Sequence, residues 1–238
     1  MRASLLLALA LAHFVGTTSA LAAVTTIRTG QVGGSPGTCS GSDDSFHYYA
    51  PNQNCGQPIL ATAFQASDFA MACSGPQAVV INPASPPWVA SLDCDPEARW
   101  IATGLVPGSC LGEAISALYC ARFTVEAQCT VADSIRICWA VDDFLGDPAS
   151  FPGPNPGGIY INGVDLGPSF SGPGSNPTYT AVAYNVPLNG GANSLAVYQR
   201  DAGCSISGLI LSAKVYTTCG TVGTEVQNWG NIKSIYRD

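Results

Sequence analysis

The residues best equipped for chemistry are acidic. Asp142-Asp143 with Asp147, Asp93-x-Asp95-x-Glu97, and Asp43-Asp44 each gather carboxylates within a few positions. Loops of this kind suit a hard cation such as Ca²⁺, which collects carboxylate and carbonyl oxygens. No EF-hand spacing is present, so any such ion would be structural, with Asp93, Asp95, Glu97, Asp142 and Asp143 as candidate ligands. The competing reading is of solvated acids and turn-capping carboxylates. Asp142 and Asp143, with Glu113 and Glu126, also admit a two-carboxylate glycoside hydrolase or lyase, although spacing along the chain does not fix separation in space.

Other catalytic chemistry is poorly supplied. The two histidines are His13 and His47, and His13 lies in an apolar leader, so no multi-histidine metal centre can be assembled from the remainder. A Gly-x-Ser-x-Gly nucleophile elbow is absent, and His47, in Ser45-Phe46-His47-Tyr48-Tyr49, reads as an ordinary strand or loop residue. Aromatic side chains are the remaining signal, because a ring face accepts the C–H surface of a sugar. Trp139 alternates with isoleucines and Trp100 lies in an apolar run, so both read as core. Trp88, after two prolines, is the better candidate for exposure, with core packing as the alternative, and Trp229 lies in a polar tail. The candidate ligand-binding set is therefore Trp88, Tyr160, Tyr198, Asp142 and Asp143.

The chain begins Met1-Arg2-Ala3-Ser4 and runs into Leu5 to Ala12, the layout of a secretory leader with cleavage expected after Ala20 or Ala22. Ten cysteines follow it: Cys39, Cys55, Cys73, Cys94, Cys110, Cys120, Cys129, Cys138, Cys204 and Cys219. An even count after a leader predicts disulfides in an oxidising, extracellular setting, with pairing open. No Cys-x-x-Cys pair is present to suggest a zinc ribbon or a redox motif. Charge is sparse and negative, with nine Lys and Arg against 16 Asp and Glu, which disfavours nucleic acid and anionic lipid as partners. No later apolar stretch is long enough to predict membrane insertion.

The elements that would position these residues are strands. Tyr119, Ala121, Phe123 and Val125 share one face of an alternating run; Ile135, Ile137, Trp139 and Val141 share another. Leu195 and Val197 alternate with Ala196 and Tyr198, and Leu209, Leu211, Ala213 and Val215 with Ile210, Ser212, Lys214 and Tyr216. Asn162-Gly163 between short apolar runs predicts a tight hairpin, because both turn positions favour positive φ. Asn189-Gly190-Gly191 separates two further strands. The Gly/Pro-rich stretches 146–158 and 168–177 read as surface loops. No amphipathic run of helical length is evident.

From Ala78 to Tyr216 the order of features resembles the galactose-binding-like jelly-roll family, the fold of many carbohydrate-binding modules and discoidin-type domains. The resemblance is carried by Pro87-Trp88, then Ala98-Arg99-Trp100-Ile101, then Val141-Asp142-Asp143. Gly158-Ile159-Tyr160-Ile161-Asn162-Gly163 follows, then Asn189-Gly190-Gly191-Ala192-Asn193-Ser194-Leu195-Ala196-Val197, and finally Ser207-Gly208-Leu209-Ile210. It implies a fold and raises the expectation of a structural Ca²⁺, while the sugar contacts of that family sit in variable loops.

The expected protein is all-β, a two-sheet antiparallel jelly-roll sandwich stabilised by disulfides. Its parts are a cleaved leader (1–22), an irregular Cys-containing lead-in packed on the sandwich (23–77), the sandwich (78–220) and a polar tail (221–238). The expected function is non-catalytic, lectin-like binding of an extracellular glycan or glycoprotein. A structural component of a matrix, cell coat or filament, pairing with copies of itself or other matrix proteins, is the alternative, ahead of the carboxylate enzyme.

Overall fold

The computed structural model describes residues 22–83, 88–174 and 178–219. The leader before Ala22, Pro87, and the tail with Trp229 lie outside the described residues. The strands are β1 (Ala22–Arg28), β2 (Gln31–Val32), β3 (Ser35–Pro36), β4 (Ser42–Tyr49), β5 (Gln77–Val80), β6 (Ile101–Ala102) and β7 (Ala117–Thr124). They continue as β8 (Val131–Asp142), β9 (Phe144–Leu145), β10 (Ile159–Ile161), β11 (Val164–Asp165), β12 (Gly172–Pro173), β13 (Tyr179–Pro187), β14 (Ala192–Arg200) and β15 (Gly208–Thr218). One helix, α1 (Ala66–Ser74), lies between β4 and β5.

All strand pairings are antiparallel, and all strands but β2 and β3 belong to one curled sheet ordered β11-β10-β14-β7-β4-β5-β6-β15-β8-β13, with β1 on β15. The sheet folds over at the short strands β5 and β6, where Val80 meets Ile101 and Ile101 meets Leu209. Its two halves thereby become the layers of the expected sandwich. The predicted alternation decides what lies between them. Tyr119, Ala121, Phe123, Leu195 and Val197 come from one layer; Ile135, Ile137, Trp139, Leu209, Leu211 and Val215 come from the other. All are buried in one central cluster. Fully burying each large apolar side chain contributes about 1.5–3 kcal/mol.

Two expectations about the first part of the chain are corrected. The lead-in is not irregular throughout: β1 runs along β15 from Ala22↔Thr218 to Arg28↔Ser212, and β4 pairs with β7. β1 carries two Thr beside small apolar residues and β4 is mostly Ser, Asp and Tyr; only Ile27 and Phe46 are fully buried in the core, with Tyr48 packed against it, so their periodicity is weak. A helix is also present. At nine residues α1 is too short to develop a long periodic stripe, but its alanines favour helix, and the Asp68 carboxylate accepts from the Gln65 backbone N–H at its start (2.7 Å).

The outer faces of the layers are covered rather than bare. Leu118, Cys120, Ala196, Tyr198 and Tyr160 point away from the central core and are capped by α1 with Ile59, Phe64 and Phe69. Cys138, Ala140 and Ile210, on the other layer, are capped by Ile81, Trp88, Leu92 and Trp100. A disulfide pins each cover to an outward-facing strand position: Cys73–Cys120 for α1, and Cys94–Cys138 for the Trp88–Trp100 segment. Cys39–Cys110, Cys55–Cys204 and Cys129–Cys219 complete five bridges, with Cα–Cα distances of 5.8, 5.1 and 5.3 Å. Among the described residues no cysteine is free, and no helix is long and apolar enough to cross a membrane.

The layer assignment predicts that Ile137→Ala, in the central core, costs about 2–5 kcal/mol, whereas Val182→Ala, on the outer face, stays within about 0.5 kcal/mol. Equilibrium denaturation of both variants checks this; equal costs would contradict the assigned faces.

Candidate functional site

The predicted aromatic ligand contacts are spent on packing. Trp88 is 9% exposed, with its ring centroid 4.3 Å from that of Trp100, so the expectation of an exposed Trp88 is corrected: it closes the outer cover. Tyr198 is fully buried and donates its hydroxyl to Asp147 Oδ1 (2.8 Å); Tyr160 is buried and donates to the Gly157 carbonyl (2.9 Å). Burial and the charge of Asp147 push the Tyr198 phenol up, and burial does the same for Tyr160, so both stay neutral. Trp100 and Trp139 are core, as expected. His47 lies in β4, its Nδ1 bonded to the Gly75 carbonyl (2.7 Å).

What the two tyrosines support is an aromatic surface one step further out. Phe64 meets Tyr198 edge-on at 5.1 Å and Tyr160 at 5.9 Å, and Phe69, on α1, packs on Tyr160 at 5.1 Å. Phe64 and Phe69 are half-buried and line a groove of about 640 Å³ between α1 and the Asn162-Gly163 and Asn189-Gly190-Gly191 turns. Its polar lining comes from Gln65, Arg122, Asn162, Asn189, Asn193 and Ser194, with no acid or histidine among the lining residues.

Local chemistry builds each wall. Asn162 (φ 51°) and Gly163 (φ 79°) form the predicted tight turn joining β10 and β11, and the Phe69 ring lies so close that a Cβ on Gly163 would stand 3.3 Å from it. Asn162 Nδ2 donates to Asn193 Oδ1 (2.8 Å), and Asn193 Nδ2 in turn donates to the Asn189 and Gly191 carbonyls (2.8 and 3.0 Å). The two asparagines thus lock both turns against each other. Phe64 is held from behind, its backbone N–H donating to Asn155 Oδ1 (2.7 Å), while the Asn155 N–H donates to Asp147 Oδ2 (2.9 Å). Arg200 Nε closes the chain 3.2 Å from Asp147 Oδ1, a buried pair. Arg122, exposed on β7, supplies the groove with a cation.

Sequence reasoning missed Phe64, Phe69, Gln65 and Arg122. A usable signal was the phenylalanine pair flanking the Gln65–Asp68 helix start. The Asn-rich turns were recognised, though as turns and not as groove walls.

The acids divide sharply. Asp95 is buried, accepting from Arg28 Nε (2.9 Å) and the Ser212 hydroxyl (2.7 Å), and Glu97 pairs with the same arginine. Asp93 is exposed next to Cys94. Asp43 is buried and accepts from the N–H groups of Gly30, Ser45 and Phe46, whereas Asp44 accepts from Gly34 N–H. Glu126 bonds Gln128, and the Glu113 carboxylate lies against Gly104. Asp142 and Asp143, by contrast, come together with Asp201 at the end of β8. Asp143 Oδ2 accepts from the Ala202 and Gly203 N–H groups (2.8 and 2.6 Å). Burial, the hydrogen bond with Asp143, and the charges of Asp143 and Asp201 push Asp142 up to about 8. Burial, then the Asp143 charge, also raises Asp201, against nearby Gly56 and Cys204 N–H groups and Arg200. This cluster lies outside the groove, and among the described residues no three His, Cys, Asp or Glu side chains are arranged to hold a metal ion.

Compared with family models, with curated proteins and with solved structures, the chain matches none.

The raised Asp142 has a defined consequence. An unfolded aspartate ionises near pH ~4, so between there and about pH 8 the folded chain holds a proton that the unfolded chain has lost. Stability therefore falls as pH rises through that window and levels off above it. Asp142→Asn keeps a donor toward Asp143 and cannot ionise. It is expected to flatten this decline and to melt above the wild type at pH 8, as checked by thermal melts from pH 4 to 9. A variant that melts below the wild type at pH 8 would contradict the assignment.

Proposed function

We propose that this protein binds carbohydrate without chemical turnover, and that the groove between α1 and the asparagine turns is where it does so. The observation carrying this reading is the composition of that groove. Two phenylalanine edges rest on a rigid aromatic floor, and the rim is made of amides, one serine and one guanidinium. Sugars present both a C–H face, which packs on aromatic carbon, and a fan of hydroxyls, which amides and guanidinium can bond as donors and acceptors. A lining without a carboxylate or imidazole supplies no general acid or base, which supports binding rather than hydrolysis. Asp142 and Asp143, the strongest acid–base pair, stand apart from it.

The five disulfides support an oxidising compartment, and with the leader-like start of the chain the reading extends to a secreted, extracellular protein. The resemblance of the Ala78–Tyr216 feature order to galactose-binding-like modules points the same way.

A glycan array tests the proposal, run on the wild type and on Arg122→Ala and Asn189→Ala, with calcium and with EDTA. Selective binding that each variant weakens roughly tenfold is expected, the size of one lost charged or well-placed polar contact. A blank array, or binding indifferent to both substitutions, would overturn it.

A further inference from the structure

The outward face of β15 and β8 is covered over only part of its length. Cys138, Ala140, Ile210 and Ser212 lie beneath the cover held by Cys94, but the next positions toward the other end of the strands are open. The registers lay these out in rows. Thr26, Lys214, Arg136 and Val182 face one another across β1, β15, β8 and β13, and Val24, Tyr216, Ser134 and Tyr184 form the row beside them. Val24, Val182 and Tyr184 are 52%, 39% and 72% exposed.

Lys214 and Arg136 are direct cross-strand partners. Like charges placed opposite each other on a sheet repel, so the pair is locally unfavourable unless an anion sits between them. Among the described residues neither makes an ion pair. Asp95, the acid that reaches this face through Ser212, is already neutralised by Arg28. Arg136 and Lys214 also line a small pocket of about 90 Å³ with Ser212, Tyr216 and the Cys94–Cys138 bridge. It has room for a group the size of a sulfate or carboxylate, not for a whole sugar ring. In a chain of net charge −7, two cations facing each other with no acid paired to them among the described residues form a local positive patch to which an acidic ligand is drawn.

We propose that this face is a second binding site, for an acidic glycan whose sulfate ester or uronate carboxylate enters the Arg136–Lys214 pocket. Tyr216 at the pocket wall and the exposed Tyr184, two strands away in the row beside the charged pair, supply ring surface for a neighbouring sugar. That aromatic flank distinguishes an acidic sugar polymer from an acidic peptide or a free anion. The site is on the opposite layer from the groove and stands whether or not the groove binds sugar.

The test is a titration of the wild type with a heparin oligosaccharide and with oligogalacturonate, alongside dextran and poly-glutamate, at low and at raised salt. The expected result is salt-sensitive binding of at least one acidic glycan, with dextran and poly-glutamate much weaker. Arg136→Ala and Lys214→Ala are each expected to weaken it about tenfold, and Lys214→Arg to retain it. Both substitutions are on exposed or half-exposed positions, and unchanged melting temperatures would show that folding is intact. Absence of acidic-glycan binding would overturn the proposal, as would loss in Arg122→Ala with the patch variants unaffected. Equal affinity for poly-glutamate, or concentration-dependent self-association through the patch in place of glycan binding, would overturn it as well. A blank neutral-glycan array beside patch-dependent acidic binding would instead refute the groove reading alone.

Discussion

A two-layer sandwich of this size has an excess of apolar surface, and the way that excess is covered governs everything else in the structure. The strands β7, β14, β8 and β15 carry large apolar side chains on both faces over part of their length. The inward set closes on itself. The outward set has no second sheet to meet, and left in water it would forfeit the burial that offsets chain entropy. One short helix and otherwise irregular segments do the covering: α1 with the Ile59–Phe69 stretch on one layer, and the Trp88–Trp100 stretch on the other. Such segments order poorly unless tethered, and the Cys73–Cys120 and Cys94–Cys138 bridges tether each at the strand it covers.

Both candidate binding surfaces are consequences of where those covers stop. The first cover reaches the Asn162-Gly163 turn through Phe69, and the space left open between α1 and the two turns is the groove. The second stops at Cys138, leaving Arg136 and Lys214 open beyond it. Buried polar groups hold the covers at fixed height. Asp147 is shared by Arg200, Tyr198 and Asn155, and Asn155 passes that anchorage to Phe64. Removing one partner from such a network leaves another unpaired in a low-dielectric setting, which is why it rigidifies the groove floor.

The inward faces were legible in the sequence because a strand buried on one side must alternate, and Ile135, Ile137, Trp139 and Val141 do so without interruption. The Asn162-Gly163 hairpin was legible because few residue pairs tolerate two positive φ values. The covers were not. Their residues are apolar without a long period, since they contact the sheet from one short helix and otherwise irregular backbone, and so Trp88 stood as the better candidate for exposure when it is packed on Trp100. Tyr160 and Tyr198, expected as ligand contacts, are buried beneath Phe64, because periodicity distinguishes two faces of a strand and not whether the outer one is covered. Asp142 and Asp143 were singled out from adjacency alone; their meeting with Asp201, some sixty positions on, depends on the turn after β14. Arg136 and Lys214 each alternate as expected, but only the strand register shows that they are opposite one another.

The central claim is that a disulfide-tethered cover, separable from the sandwich itself, forms the binding groove. Amide hydrogen exchange on a Cys73→Ala/Cys120→Ala variant tests this most directly. The account predicts faster exchange confined to residues 59–74 and the groove-facing turns, with β8 and β15 as protected as in the wild type and glycan binding by the groove lost. Uniform loss of protection across both layers, or full protection of α1 without the bridge, would contradict it.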